Sequence, residues 1–325
     1  MSPVVKKWLI LFLKIAMTVG PAWLVWRKIQ DMPGLESEHF LSLLQSFGWQ
    51  WILLAALALI FSHIFGAAQW RLLLITQGIT MPYKEVLRIY FVGLFFNNFM
   101  PGNVGGDIKR IYDIKAESGE KLGAGVSATL FDRVFGLFFL NALALGVGAL
   151  FFIKDPEQSP FILPSLAVFA GFCTFFAGLL SRRFGRFVER ILALVLPDRM
   201  VGRIASLRDR FYLFRNPRLW LQVTFLSALT QILRVSVHWF CGLSIGVQIN
   251  VSWYFYFIPI VAVVSALPIS IGGFGPREYL AQSLFTRVGV GAMEAVLVQF
   301  LAYAVSLAVS LFGAFQFLFH RKKAA

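Results

Sequence analysis

The chain has 325 residues, of which 58% are hydrophobic and 14% are charged, and its mean hydropathy is +0.73. Several apolar stretches reach the roughly 20 residues that cross a bilayer as a helix, so the composition excludes a soluble globular protein and predicts an all-α polytopic membrane protein. The formal net charge of +14 comes from bases in loops beside these stretches, which favours basic cytoplasmic loops and contact with anionic or phosphate-bearing membrane lipids over binding of nucleic acid.

The apolar stretches predict about six full spans. They fall at residues 8–26, 49–69, 123–152, 161–180, 219–246 and 292–319. Trp49, Trp51 and Trp70 flank the second span, where we expect them to anchor the helix at the membrane surface. Cys173 and Cys241 lie inside apolar stretches, and we expect both to be buried free thiols.

Two further apolar stretches, 86–100 and 253–267, are too short to cross a bilayer comfortably. Each ends in a run that is rich in glycine and proline. We expect each to form one arm of a re-entrant hairpin, near 87–121 and near 253–287. Irregular backbone at membrane depth is tolerated only where protein buries it or where it lines a water-filled cavity, so the two hairpins are the expected position of a site.

The two interruptions match each other and indicate an internal duplication. Pro101, Gly105, Gly106 and Arg110 correspond to Pro268, Gly272, Gly273 and Arg277, and each pair is 167 residues apart. This shift is about half of the chain, so we divide the chain into a first membrane repeat, 1–160, and a second, 161–325. Paired Gly/Pro interruptions in two apolar halves are a sequence pointer to the binding site of a transporter.

The basic residues predict the orientation in the membrane. Loop bases are concentrated on the side of the N-terminus if the first broken segment returns to the side from which it came, and the two repeats are then inverted relative to each other. Residues 181–218 contain ten arginines and are expected to form a basic amphipathic hairpin on the cytoplasmic leaflet, with a solvated basic loop as the alternative. We therefore expect a protein of the inner membrane with both termini in the cytoplasm.

Charged residues beside the interruptions are the candidate binding residues. Arginine inside a bilayer costs about 2.5–3.5 kcal/mol on insertion scales, and its planar fork binds phosphate and stays charged when buried. The candidate substrate ligands are Arg110, Arg133, Arg234, Arg277, Asn98 and Asn103, and the candidate acids for proton coupling or ion pairing are Asp107, Asp132 and Glu278. The alternative is that the arginines and acids pair with each other for structure and that the asparagines cap half-helices.

Sequence patterns for catalysis are missing from the chain. There is no His/Cys cluster of metal-ligand spacing, no Gly-x-Ser-x-Gly elbow and no phosphate-binding loop. We therefore expect a protein that is not an enzyme and that uses no cofactor and no metal.

The interruptions resemble those of a known family of membrane proteins. The matching patterns are Asn98-x-x-Pro101-Gly102-x-x-Gly105-Gly106-Asp107-x-x-Arg110, Asp132-Arg133-x-x-Gly136 and Pro268-x-x-x-Gly272-Gly273-x-Gly275-x-Arg277-Glu278. Over nearly the whole chain they are similar to the lysylphosphatidylglycerol synthase transmembrane family, also described as flippase-like. In its bifunctional members this region moves aminoacylated phosphatidylglycerol between leaflets, and a separate soluble domain makes the lipid. The resemblance implies a stand-alone member without synthase activity. Other stand-alone relatives are associated with polyprenyl-linked lipids or glycolipids, so it does not identify the lipid.

The leading hypothesis is a flippase that moves a phosphate-bearing lipid head group, phospho- or polyprenyl-linked, between leaflets. A secondary transporter of a small soluble anion would use the same breaks and arginines. A third hypothesis is a membrane partner of a lipid-modifying enzyme that transports nothing itself. The expected partners are membrane lipids, a second copy of the chain or a lipid-synthesising enzyme.

Overall fold

The computed structural model describes residues 47–99, 105–119, 122–154, 161–181, 183, 187, 194, 197–266 and 276–319. Within these ranges the secondary structure is helical, with no β-strand. The α-helices are α1 (Trp49–Thr76), α2 (Tyr83–Phe99), α3 (Gly105–Ser118), α4 (Leu122–Lys154), α5 (Ile162–Leu180), α6 (Asp198–Phe211), α7 (Pro217–Ser244), α8 (Val251–Ser265), α9 (Pro276–Phe285) and α10 (Ala292–Phe319). Short 3-10 turns, Tyr212–Arg215 and Thr286–Val288, continue α6 and α9.

Several predicted features lie outside the described residues. They are the first span at 8–26, most of the first helix expected within 181–218, Asn103, and the break residues Pro101, Pro268, Gly272 and Gly273. The other two glycines of the first break, Gly105 and Gly106, are the first residues of α3.

Helices α1, α4 and α10 are long and apolar enough to cross a membrane, and α5 and α8 contain shorter apolar segments. Helix α7 is as long as α1, with 28 residues, but one of its faces is polar because Ser227, Thr230, Gln231 and Arg234 recur at helical spacing. The first three of these side chains are buried inside the protein. The structure thus confirms a helical, multi-pass membrane protein, while the count of six spans stays a prediction.

Local sequence determines where the helices of the second half begin. The side chain of Asn216 accepts a hydrogen bond from the Arg218 N–H at 3.0 Å, and Pro217 occupies the first helical position of α7. The side chain of Asn250 does the same for the Ser252 N–H at 2.9 Å at the start of α8. Two asparagine caps therefore set the start of these helices.

The helices form two matching sets. Helices α1, α2, α3 and α4 are followed in the same order by α7, α8, α9 and α10, each set being long, short, short and long. The packing partners match as well, since α2 packs on α10 and α8 packs on α4. Each set thus places its second helix against the last helix of the other set.

Helices α1 and α7 pack against each other over their whole length. The Gly48 N–H donates to the Ser244 carbonyl at 2.8 Å, and Ser62 Oγ donates to the Thr230 carbonyl at 3.2 Å. The partner position falls along α7 as the position on α1 rises, so the two helices are antiparallel. Ser62 and Thr230 lie 168 residues apart, as do the first residues of α1 and α7, which differs by one from the 167-residue shift between the two interruptions, so nearly equivalent positions meet at this contact.

Helices α2 and α3 fold back on each other as a tight antiparallel pair. The Gly106 N–H donates to Asn97 Oδ1 at 2.8 Å, and a Cβ on Gly106 would overlap the carbonyl oxygen of Gly93. A Cβ on Gly93 would lie only 2.6 Å from Cγ of Arg110. Glycines at 93 and 106 are therefore needed for the close approach of the two helices.

The described part of the basic region is more buried than its charge suggests. Helix α6 is present where a second amphipathic helix was expected, but Phe211 and Phe214 at its end are buried in the protein. The ring centroid of Phe214 lies 4.4 Å from that of Phe131 on α4. This apolar edge therefore packs on the helix bundle and not on lipid.

Two expectations about single residues were wrong. Trp70, expected at the membrane surface, is fully buried, because α1 continues past it to Thr76. Cys173, expected to be buried, is exposed on α5, whereas Cys241 is buried as expected. Both cysteines are free thiols.

Candidate functional site

A cavity of about 270 Å³ lies between helices α1, α2, α3, α4 and α7. Its polar lining consists of Gln69, Tyr90, Asn97, Asp107, Arg110, Asp132, Arg133, Thr230, Gln231 and Arg234. The apolar part of the wall includes Leu94, Leu137 and Leu140. Three arginines and two aspartates therefore line one small space inside an apolar helix bundle.

Arg110 is the most enclosed cation of the cavity. Its guanidinium lies between Asp107, at 3.6 Å, and Asp132, at 3.5 Å. Its guanidinium carbon is also 3.9 Å from the ring centroid of Trp70 and 4.3 Å from that of Tyr90. The residue is only 5% exposed, so its charge is satisfied by contacts within the protein.

The partners of Arg110 are themselves held in place. Trp70 Nε1 donates to Thr129 Oγ1 at 3.2 Å, which fixes the ring under the guanidinium. Gln69 Nε2 donates to Asp132 Oδ1 at 2.9 Å, and Ser227 Oγ donates to Gln69 Oε1 at 2.7 Å. This chain of hydrogen bonds connects α7 through α1 to the carboxylate on α4, so the orientation of Asp132 depends on three helices.

Arg133 and Arg234 differ in their pairing. Arg133 forms an ion pair with Asp107 and keeps 36% of its side chain exposed. Arg234 acts electrostatically on Asp132, but no carboxylate of the described residues lies within ion-pair distance of its guanidinium. Arg234 is therefore the cavity arginine whose charge the described protein leaves uncompensated.

Four buried polar atoms around the cavity have no hydrogen-bond partner among the described residues. They are Thr230 Oγ1, Gln231 Oε1, Arg110 Nε and Asp107 Oδ1. Buried polar atoms are nearly always hydrogen-bonded in folded proteins. The cavity therefore suits a polar ligand that supplies both donors and acceptors.

The structure brings together five of the predicted site residues, whereas Asn98, Arg277 and Glu278 are not among the residues that line the cavity. Asp107, Arg110, Asp132, Arg133 and Arg234 line the cavity.

Arg277 and Glu278 lie on α9, away from the cavity lining. Arg277 Nη2 lies 2.9 Å from Glu278 Oε1, and the guanidinium carbon is 5.4 Å from the ring centroid of Tyr303 on α10. Asn98 faces α10 as well, since its Nδ2 donates to the Ser306 carbonyl at 3.3 Å. A role for these residues in substrate binding stays a prediction.

Sequence reasoning missed the polar residues of the long helices. Gln69, Thr230 and Gln231 line the cavity, and Ser227 supports it, although all four lie in stretches that read as spans. A usable signal was present, because positions 227, 230, 231 and 234 follow the i, i+3, i+4, i+7 spacing of one helix face. A polar stripe in an otherwise apolar helix predicts a buried polar contact.

Among the described residues, no group of three or more His, Cys, Asp or Glu side chains is arranged to hold a metal ion. The chemistry of the cavity lies in arginine, carboxylate, amide and hydroxyl groups. Such a set can bind an anion and hydroxyl groups of a ligand.

Comparisons with known proteins agree with the helical membrane architecture. Residues 11–313 match the family model described as the lysylphosphatidylglycerol synthase TM region. Similar curated proteins are UPF0104 membrane proteins from Methanothermobacter thermautotrophicus (23% identity, 69% of this chain and 70% of the relative), Pyrococcus horikoshii (24%, 98% of each) and Methanocaldococcus jannaschii (23%, 79% and 80%). No solved structure shows a significant match to the chain.

Proposed function

Because the chain belongs to the family of the lysylphosphatidylglycerol synthase TM region, we propose that it is a lipid flippase. It moves the phosphate-bearing head group of a phospholipid or polyprenyl-linked lipid between the two leaflets. The observation that supports this best is an arginine-rich cavity inside an apolar helix bundle. A charged head group does not cross hydrocarbon unaided, since burying an unpaired charge carries a very large free-energy cost. The cavity offers it cations and hydrogen bonds while its hydrocarbon chains stay in lipid.

The proposed architecture is an inverted-topology repeat with two re-entrant hairpins, α2–α3 and α8–α9. Support comes from the antiparallel contact of α1 with α7 at the nearly equivalent residues Ser62 and Thr230. A two-fold axis that exchanges antiparallel helices is perpendicular to them, so it lies in the membrane plane when the helices cross the membrane. Transporters built in this way bind their substrate where the two repeats meet, and the cavity has lining residues from both.

The proposed driving force is a lipid gradient or an ion gradient, since the sequence contains no nucleotide-binding motif. Asp107, Asp132 and Glu278 are the candidates for proton coupling. Asp132 is the strongest of them, because it contacts both Gln69 and Arg110 and its protonation would change the cavity charge. The proposed location is the cytoplasmic membrane with both termini in the cytoplasm. The protein acts as a transporter and not as an enzyme.

A transporter of a small soluble anion is the second candidate. The cavity volume of about 270 Å³ favours this second candidate, because it is close to the lower end of the roughly 300–1,000 Å³ that is common for pockets that bind small molecules. The two functions differ in what crosses the membrane. Uptake of a water-soluble phosphate ester into sealed vesicles, without movement of lipid, would support the second candidate.

The test is lipid movement in proteoliposomes. Lipids labelled with a fluorophore on the acyl chain are followed after a membrane-impermeant reductant is added outside. The wild type should accelerate exchange over protein-free vesicles, and Arg234→Gln should reduce the initial rate at least about tenfold, because a charge-assisted bond is lost. Arg218→Gln is the matched control, since Arg218 is an exposed arginine at the start of the same helix. The proposal would be refuted if protein that keeps the wild-type melting temperature did not accelerate the exchange of lipids with any head group.

A further inference from the structure

The charges around the cavity do not balance. Among the described residues, three guanidinium groups face two carboxylates, which leaves one surplus positive charge. Residues 100–104 and 267–275, which follow α2 and precede α9 in the sequence, contain no ionisable side chain. An uncompensated charge in a low-dielectric site is costly, so a ligand with one negative charge is the best electrostatic match.

The surplus charge belongs to Arg234. Arg110 lies between two aspartates and two aromatic rings, and Arg133 pairs with Asp107. Thr230 lies one turn before Arg234 on the same helix face, is 5% exposed, and has no hydrogen-bond partner for its Oγ1 among the described residues. A guanidinium and a hydroxyl one turn apart on α7 form a donor pair for two oxygens of one phosphate group.

Gln231 provides a hydrogen-bond acceptor, whereas Arg234 and Thr230 provide donors. Its Nε2 donates to the Gly136 carbonyl at 3.3 Å, which fixes the orientation of the amide. Its Oε1 is buried and has no partner within the described chain. An amide oxygen accepts only from a donor, so it repels phosphate oxygens and suits a hydroxyl. An ammonium group would also donate, but it would add positive charge to a cavity that already has a surplus.

We propose that the cavity selects a phosphodiester that carries one negative charge and a small hydroxylated substituent, such as glycerol or a single sugar. Arg234 and Thr230 bind the phosphate, and Gln231 accepts from a hydroxyl. The proposal rests on the proposed function and adds the substrate class to it. It excludes aminoacylated head groups, which bring an ammonium.

The test is a set of dissociation constants from native mass spectrometry of the full chain in neutral detergent at pH 8. The probes share their acyl chains and differ in the head group: phosphatidylglycerol, phosphatidylmethanol, phosphatidic acid, phosphatidylcholine and lysyl-phosphatidylglycerol. Phosphatidylglycerol should bind about 3- to 10-fold more tightly than phosphatidylmethanol, which has the same charge without hydroxyls. It should bind at least about tenfold more tightly than the other three.

Two variants assign the contacts. Arg234→Gln should weaken phosphatidylglycerol binding at least about tenfold, while the matched variant Arg218→Gln should bind like the wild type. Gln231→Met, which keeps the side-chain length and removes the acceptor, should lower the ratio of phosphatidylglycerol affinity to phosphatidylmethanol affinity from about 3- to 10-fold to about one. Each variant is compared with the wild type only if its melting temperature is unchanged, and Gln231→Leu, which also lacks the acceptor, replaces the Met variant if that one is unstable.

Three results would overturn the inference. They are equal binding of phosphatidic acid or lysyl-phosphatidylglycerol, unchanged binding by Arg234→Gln, and binding of water-soluble glycerophosphoglycerol as tight as that of the lipid, which would assign the site to a soluble phosphodiester. The proposed function is judged separately. Lipid that binds with this selectivity but is not moved in vesicles refutes the flippase alone, and movement of lipids without head-group preference refutes the inference alone.

Discussion

The guanidinium carbon of Arg110 lies 3.9 Å from the centroid of the Trp70 ring. The two residues belong to different helices, α3 and α1, and are 40 positions apart in the chain. Their contact is completed by Tyr90 and by two aspartates, so Arg110 joins four helices at one buried point. These contacts favour a structural role for Arg110 in the cavity.

The first prediction concerns the stability supplied by Arg110. Arg110→Lys keeps the charge but loses the planar stacking and the fork between two carboxylates, so we expect it to lower stability by about 2 kcal/mol or more. The measurement is the melting temperature in detergent, with Arg218→Lys as the exposed control. An unchanged melting temperature together with lost lipid binding would instead support the hypothesis that Arg110 contacts the phosphate.

The second prediction concerns the close approach of α2 and α3. Gly106→Ala places a Cβ against the Gly93 carbonyl, which is backbone and cannot move aside without shifting a helix. We expect a marked loss of folded protein on size-exclusion chromatography. Gly146→Ala is the control, because Gly146 lies in α4 with nothing within 4 Å of the added atom, and it should gain up to about 1 kcal/mol from helix propensity. Equal yields for both variants would contradict the described packing.

The third prediction concerns the cavity charge. Asp132→Asn keeps an acceptor for Gln69 and raises the surplus from one to two positive charges. The ratio of the affinity for phosphatidic acid to the affinity for phosphatidylglycerol at pH 8 should therefore be about tenfold higher in the variant than in the wild type. Native mass spectrometry measures both affinities. Asp209→Asn is the control, since Asp209 has an exposed side chain that pairs with Arg208 on α6. The same shift in the control would mean that general protein charge sets the preference.

The fourth prediction concerns orientation in the membrane. In a chain with Cys173 and Cys241 replaced, Ser118→Cys at the end of α3 should react with an impermeant thiol reagent only from the cytoplasmic side. Ser159→Cys, which follows the third predicted span, should react only from outside. Labelling with the reverse pattern in intact cells would rule out the inverted arrangement of the repeats.

The sequence predicted the helical class, and it named five of the charged residues that line the cavity, while the inverted repeat and the roles of these residues stay predictions. These follow from local patterns: apolar length, glycine interruptions and charged residues beside them. The short spacing from Gly106 to Arg110 already places Asp107 and Arg110 one turn apart on α3. Features of this kind can be predicted from the sequence because they depend only on residues that are close together along the chain.

What the sequence did not predict depends on distant neighbours. A tryptophan near the end of an apolar stretch reads as a surface anchor, and only the fold shows Trp70 beneath Arg110. Arg110 and Arg277 occupy equivalent positions in the predicted repeat, but the residues that surround them differ. Arg110 lies between carboxylates and two rings, while Arg277 pairs with Glu278 beside Tyr303. Which cavity arginine has no described carboxylate within ion-pair distance was therefore visible only from contacts across helices.

The antiparallel contact of α1 with α7 also has a mechanical consequence. Ser62 on α1 contacts Thr230 on α7, at nearly equivalent positions of the two halves. The Gly48–Ser244 hydrogen bond joins the start of α1 to the end of α7. A rotation of one half against the other about this line widens the space on one side of the helix pair and narrows it on the opposite side. In the proposed transporter, this pair would be the pivot about which the ligand site is exposed to the two sides of the membrane in turn.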